Sequence, residues 1–216
     1  MTIRPTAADQ RIAMVKRLRS AGIEDLRVLG AMRDVPRELF VPPHLAHAAY
    51  RDSPLSIGMG QTISAPWIVA FSAAALGQGS AAHVLEIGTG SGYGAAVLSR
   101  CCRSVVTIER HPELADQARA AITRLGISNV EVRTGDGAAG APDRAPFHGI
   151  VVTAMADGAP PPALLDQLTL GGTLICPVGH DRRGVLRRYH AGCVEDLVQV
   201  AFVPLVTDPT PSEPSH

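Results

Sequence analysis

Three glycines at alternate positions, Gly88, Gly90 and Gly92, stand between an apolar run and a segment of helical periodicity. Without Cβ atoms the backbone there can turn sharply and approach a ligand, and the first N–H groups of the following helix face that ligand. The spacing is GxGxG, preceded by Glu86 two residues before the first glycine, whereas a dinucleotide site reads GxGxxG. An acid beside the loop suits a ligand with an ammonium group better than one with a pyrophosphate. Glu109 ends the next predicted strand, about 20 residues after the loop, where a carboxylate can accept from both ribose hydroxyls. Asp136, within Thr134-Gly135-Asp136-Gly137, ends the third strand of the run, near the switch point at which open α/β sheets bind ligands. Its carboxylate can accept from an adenine amino group, with Gly135 and Gly137 leaving room for the ring; read alone, the same residues make a simple turn. Thr89 and Arg110 flank these positions and join the expected pocket. Ammonium, ribose and adenine together describe S-adenosylmethionine, with S-adenosylhomocysteine as the product.

The elements that must position these residues follow from periodicity. Helices are predicted over Gln10–Arg19, Glu24–Met32, Trp67–Leu76, Tyr93–Arg100, Pro112–Leu125 and Pro162–Leu168. Strands are predicted over Ala82–Ile87, Ser104–Ile108, Val130–Arg133, Gly149–Thr153 and Thr173–Val178, with Leu186–His190 and Asp196–Pro204 as a late antiparallel hairpin. Tyr50–Pro66, rich in Gly, Ser and Pro, is expected to be irregular and functional. The alternation implies an α/β fold, a doubly wound and mostly parallel Rossmann-like sheet with an N-terminal helical extension. One domain is expected over 1–206, with residues 1–80 as helical and substrate-loop extension, 81–206 as the cofactor-binding core, and 207–216 as a disordered polar tail.

The chain has 216 residues, 46% hydrophobic but only 4% aromatic, which favours an aliphatic core between sheet and helices. Acids and bases balance at 20 each, so no net field draws the chain to nucleic acid or an anionic membrane. No run of about 20 apolar residues occurs. A cytoplasmic monomer is therefore expected. Cys101, Cys102, Cys176 and Cys193 lack zinc spacing, and no metal site is predicted.

Val35–Ala70 (VPRELFVPPHLAHAAYRDSPLSIGMGQTISAPWIVA), VLEIGTGSGYGAAVLS, NVEVRTGDG, LLDQLTLGGTLICPVG and FVPL resemble the protein-L-isoaspartate O-methyltransferase family over residues 11–206. GQTISAP is the diagnostic piece, because methyltransferases in general share the Gly loop but not this segment. The resemblance implies a class I methyltransferase fold and methyl transfer to the free α-carboxylate of L-isoaspartyl residues in damaged proteins or peptides. The ester then closes to a succinimide that can reopen to aspartate. It also implies Ser64 as the active-site serine. In that frame Thr62 and Ser64 offer hydroxyl donors to the carboxylate, Ile63 and Pro66 keep water out, and Gln61 reaches the cofactor. Ser64 is alternatively a cap for the helix near Trp67. Val203, Pro204 and Leu205 resemble the segment that meets the substrate main chain, although core packing of Phe202 and Leu205 fits equally. A carboxylate of pKa near 3.5 is already ionised, so no general base is expected.

Two departures qualify the resemblance. His148 stands where the family carries Asp, and Gly179–Leu186 lacks a Gln after Pro177-Val178-Gly179, offering Arg182 and Arg183 instead. They motivate a second acceptor, aspartyl side chains of a dedicated peptide partner. A nicotinamide oxidoreductase is disfavoured by the GxGxG spacing, and a binding-only relative by the intact Ser64 and Gly loop.

Overall fold

A computed structural model describes residues 5–207; most of the expected tail, 208–216, lies outside the described residues. Helix α1 (Ala7–Ser20) starts earlier than predicted because Thr6 and Asp9 form a reciprocal capping box. Asp25 caps α2 (Leu26–Asp34) through the Arg27 and Val28 N–H groups.

The expectation of an irregular Tyr50–Pro66 is corrected. After two short 3-10 turns, β1 (Leu55–Gly58) pairs antiparallel with β2 (Gln61–Ile63) as a separate two-stranded sheet. The connecting residues Met59 and Gly60 both have positive φ, 52° and 70°, the arrangement of a type I′ turn whose twist matches that of a hairpin. Helix α3 (Pro66–Leu76) follows directly.

The main sheet contains β3 (His83–Ile87), β4 (Ser104–Glu109), β5 (Val130–Thr134), β6 (Phe147–Val152), β7 (Ala156–Asp157), β8 (Leu168–His180), β9 (Arg183–His190) and β10 (Cys193–Ala201). Between them lie α4 (Tyr93–Ser99), α5 (Pro112–Arg124) and α6 (Pro162–Asp166). The spatial order is β10-β9-β8-β6-β3-β4-β5, with β7 beside β8; β5, β4, β3, β6 and β8 run parallel, and β9 and β10 turn back antiparallel. The sheet is thus mostly parallel as expected, and the late hairpin is a meander of three strands. β8 is much longer than its predicted core, because its pairing with β6 resumes at Leu168 beyond a register irregularity that contains positive-φ Gly171.

Strand alternation sorts the core. Leu85 and Ile87 face one layer with Val106, Ile108, Ile150 and Leu174, while Val84 faces the other with Val105, Val151, Leu76 and Leu98. Met14, Leu18, Met32 and Phe40 from the N-terminal segment pack with Tyr93, Val97 and Leu114 in a shared cluster. Both outer strands carry ion pairs. Arg187 meets Asp196 at 2.7 Å, and Arg188 meets Glu195, across β9 and β10. Arg133 bridges Glu131 and Asp143 at 2.8 and 2.7 Å along β5. Among the described residues no helix is long and apolar enough to cross a membrane.

Candidate active site

The carboxyl ends of β3, β4, β5 and β6 deliver four loops to one edge of the sheet. An open cavity of about 580 Å3 lies among them, lined by Gly88, Gly90, Glu109, Arg110 and Gly137, by Gln61 and Thr62 of the hairpin, and by Val203–Val206. Gly90 has φ +54° and its α-carbon faces Ile57 of the hairpin, so the loop and the hairpin close on each other. Glu109 is held by its own neighbourhood: Oε2 accepts from Gly90 N–H at 2.7 Å and Oε1 from His111 N–H at 3.0 Å. That fixes a carboxylate at the cavity wall. Gln61 Nε2 lies 3.4 Å from His111 Nε2, tying the hairpin to the loop after β4.

A second cavity, about 660 Å3, opens on the other side of Thr62 and is lined by Ser64, Trp67, Ile68, Phe202 and Val203. A smaller one of about 390 Å3 runs beneath Ser64 to the buried Glu86. Thr153 borders all three cavities. Its hydroxyl donates to the Gly88 carbonyl at 2.6 Å, locking the Gly loop to the end of β6. It was not among the residues predicted from sequence, and the signal available was only its position as the hydroxyl residue that ends the predicted Gly149–Thr153 strand.

The structure places the other expected site residues as follows. Ile63 is 5% exposed and packs in the N-terminal core, because alternation along β2 turns it away from the cavities that Thr62 faces. Pro66 is buried as the first residue of α3 and lines none of the three cavities, although its neighbours Ala65 and Trp67 do. Pro204 and Leu205 border the cavity lined by Gly88 and Glu109, and only Val203 borders the one lined by Ser64 and Trp67 as well. Met155 exchanges main-chain hydrogen bonds of 2.7 and 2.8 Å with Val203 and Leu205, which sets that placement. Gly92, at φ +89°, gives room to Ala118 of α5, so its missing Cβ serves helix packing. Thr89 is buried and shares a 2.6 Å hydrogen bond with Thr107. Gly135 borders none of the three cavities, and Asp136 uses Oδ1 to cap the turn Gly137–Ala139 through Ala138 N–H at 2.9 Å.

Glu86 also departs from expectation. It shares a face with Val84, so it points under α4, where its Oε1 fills the space a Cβ on Gly94 would need. Thr107 donates to its Oε2 at 2.6 Å, leaving the Thr89 hydroxyl to donate to Thr107. Burial pushes the carboxyl up to about 8, against the opposing Thr107 hydrogen bond, with the Glu109 charge adding to the rise.

Ser64 does not cap α3. The cap residue is Ala65, and the Trp67 N–H is taken by Asp52 Oδ1 at 2.8 Å. His148 lies at the opposite end of β6 from the cavities, where Nδ1 accepts from His83 N–H at 3.2 Å. Arg182 occupies a positive-φ turn between β8 and β9 and its carbonyl accepts from Phe202 N–H at 3.1 Å.

A doubly wound parallel sheet whose first Gly-rich turn and second-strand acid share one cavity is the architecture of class I S-adenosylmethionine-dependent methyltransferases. Residues 9–210 match the family model described as protein-L-isoaspartate(D-aspartate) O-methyltransferase, and the chain belongs to that family. A protein-L-isoaspartate O-methyltransferase of Rhodospirillum centenum is 45% identical over 97% of each chain. Another, of a Synechococcus strain, is 56% identical over 80% of this chain and 70% of its own. A Plasmodium falciparum structure, described as a putative member in complex with S-adenosyl-L-homocysteine, superposes with a TM-score of 0.77 at 25% identity, covering 92% of this chain and 99% of that one.

Proposed function

We infer that the chain transfers a methyl group from S-adenosylmethionine to the free α-carboxylate of L-isoaspartyl residues in damaged proteins or peptides, starting their repair. The observation that carries this reading is the shared wall. Thr62, Thr153 and Val203 border both the cofactor-side cavity and the groove that contains Ser64, so donor and acceptor meet across single side chains.

When bound, the cofactor supplies an electrophilic methyl on a sulfonium. The residues that suit it are Glu109 for the ribose, Gln61, Gly88, Gly90 and Arg110 along the cavity wall, and Asp136 with Gly137 beside the adenine. An isoaspartyl α-carboxylate is ionised at neutral pH and requires no base. The chain therefore has only to orient it and exclude water. Hydroxyls of Ser64 and Thr62 donate to it, and Trp67, Ile68 and Phe202 supply the apolar walls. Glu86 is an unsuitable base, being buried under α4.

Of the two departures that motivate an aspartyl acceptor, His148 lies at the far end of β6 from the groove, which removes that one, while Arg182 stays next to the groove through the Phe202 N–H. The balanced charge supports a peptide acceptor over nucleic acid. All four cysteines are free thiols, which supports a reducing, cytoplasmic setting.

Matched peptides carrying L-isoaspartate or L-aspartate, incubated with methyl-labelled cofactor, test the reading. Base-labile methyl ester is expected on the isoaspartyl peptide alone; label on the aspartyl peptide alone would replace it with the dedicated-partner reaction. Ser64→Ala is expected to lower kcat about 10- to 100-fold, the worth of a hydrogen bond to a charged group, with S-adenosylhomocysteine affinity unchanged. Unaltered kcat would remove Ser64 from the mechanism.

A further inference from the structure

Ser64 is held by a side chain from outside its own loop. Arg37, in the turn after α2, is fully buried. Its Nε donates to the Ala49 carbonyl at 2.8 Å and its Nη2 to the Ser64 carbonyl at 2.7 Å. The guanidinium stands 4.7 Å from the Tyr93 ring centroid, and Nη1 has no hydrogen-bond partner. Burial lowers its pKa to about 10, which leaves it charged at neutral pH. A buried cation with an idle donor is an expensive way to fill space, and an apolar side chain of similar volume is ordinarily at least as stable.

What the cation touches gives the reason for keeping it. Upstream of Ser64, Thr62 and Ile63 are in register with Ser56 and Leu55. Downstream, Pro66 restricts Ala65 to extended backbone, φ −54° and ψ 146°. Asp52 takes the Trp67 N–H at 2.8 Å. Ser64 is therefore the one residue between a finished hairpin and a finished helix start, and its carbonyl is the remaining handle on its peptide plane. Arg37 grips that handle and, through Ala49, the beginning of the same excursion.

We propose that Arg37, assisted by Asp52, is a positioning residue for methyl transfer, orienting the Ser64 peptide plane so that the hydroxyl stays directed at the acceptor groove without itself touching substrate. The proposal rests on the acceptor reading above. A purely space-filling Arg37 makes the opposite forecast, since methionine would then be tolerated in every assay.

The test compares Arg37→Met and Arg37→Lys in the full chain. Arg37→Met is expected to bind S-adenosylhomocysteine within about 2-fold of wild type while kcat on an isoaspartyl peptide falls at least about 10-fold, with KM changing far less. Arg37→Lys, able to serve one carbonyl at a time, should fall between. Backbone amide exchange across residues 61–67 should accelerate about 10-fold or more in Arg37→Met, with β3 and β4 unchanged. Wild-type kcat with wild-type exchange overturns the proposal. Should Arg37→Met fail to fold, the same two measurements on Arg37→Lys decide it. A wild type that methylates no isoaspartyl peptide overturns the acceptor reading instead, and the exchange rates still decide whether Arg37 orders the loop.

Discussion

Gly88→Ala is expected to abolish measurable binding of S-adenosylhomocysteine and to lower the stability of the fold. Gly88 has φ +92°, a conformation that costs any other residue on the order of 1–3 kcal/mol. A Cβ there would also overlap the Thr153 hydroxyl. Neither side can yield cheaply. The Gly88 N–H is bonded to the Ile108 carbonyl at 2.9 Å, and its carbonyl accepts from Thr153 at 2.6 Å, so the backbone is tied to the strands on both flanks. Relief requires Thr153 to rotate, at the point where the three cavities meet. Calorimetric titration and urea unfolding measure the two effects, and Gly88→Ala combined with Thr153→Ala should recover part of the stability. Wild-type affinity in the single variant would show that the loop is not the cofactor floor. At Gly135, by contrast, a Cβ meets nothing within 4 Å, so loss of binding in Gly135→Ala would locate the ligand itself on that face.

The second large effect is a pH dependence of stability that belongs to Glu86. Its carboxyl is raised from the ordinary 4.5 to about 8 in the folded chain, first because burial disfavours the charge. The native state therefore holds a proton that the unfolded chain has released at any pH between those values. Stability from this group is complete below about pH 4.5, declines as pH rises, and is lost above about pH 8. At roughly 1.4 kcal/mol per pH unit, the full span amounts to about 4–5 kcal/mol as an upper bound. Glu86→Gln keeps the shape and an acceptor for Thr107 without titrating. Denaturant unfolding between pH 5 and 8.5 should show a steep decline in the wild type and a much shallower one in Glu86→Gln. Parallel declines would assign the titration to other groups.

Much of the scaffold is readable in the chain because it is local. Val84–Gly92 announces a buried strand and a glycine turn, and Glu109 ends a strand whose alternation is plain. The hairpin at Leu55–Ile63 is harder to read, since Met59 at positive φ is an unusual choice and both strands are short. Side-chain direction was the larger failure. Ile63 and Glu86 belong to the right segments, yet strand alternation sends one into the N-terminal core and the other under α4. Arg37, Thr107 and Thr153 act on partners 27, 21 and 65 residues away in the chain. Local pattern carries no record of such pairings, which exist only once the sheet and the N-terminal helices have packed.

The charged rims of the main sheet bear on the work itself. Loosened chains offer bare peptide groups to whatever strand lies open. An enzyme that meets them continually risks being recruited into their aggregates. Arg187–Asp196 and Arg188–Glu195 on one side, and Arg133 with Glu131 and Asp143 on the other, make both rims poor templates for an incoming apolar strand. A loosened acceptor chain is thus offered a groove and denied the edges.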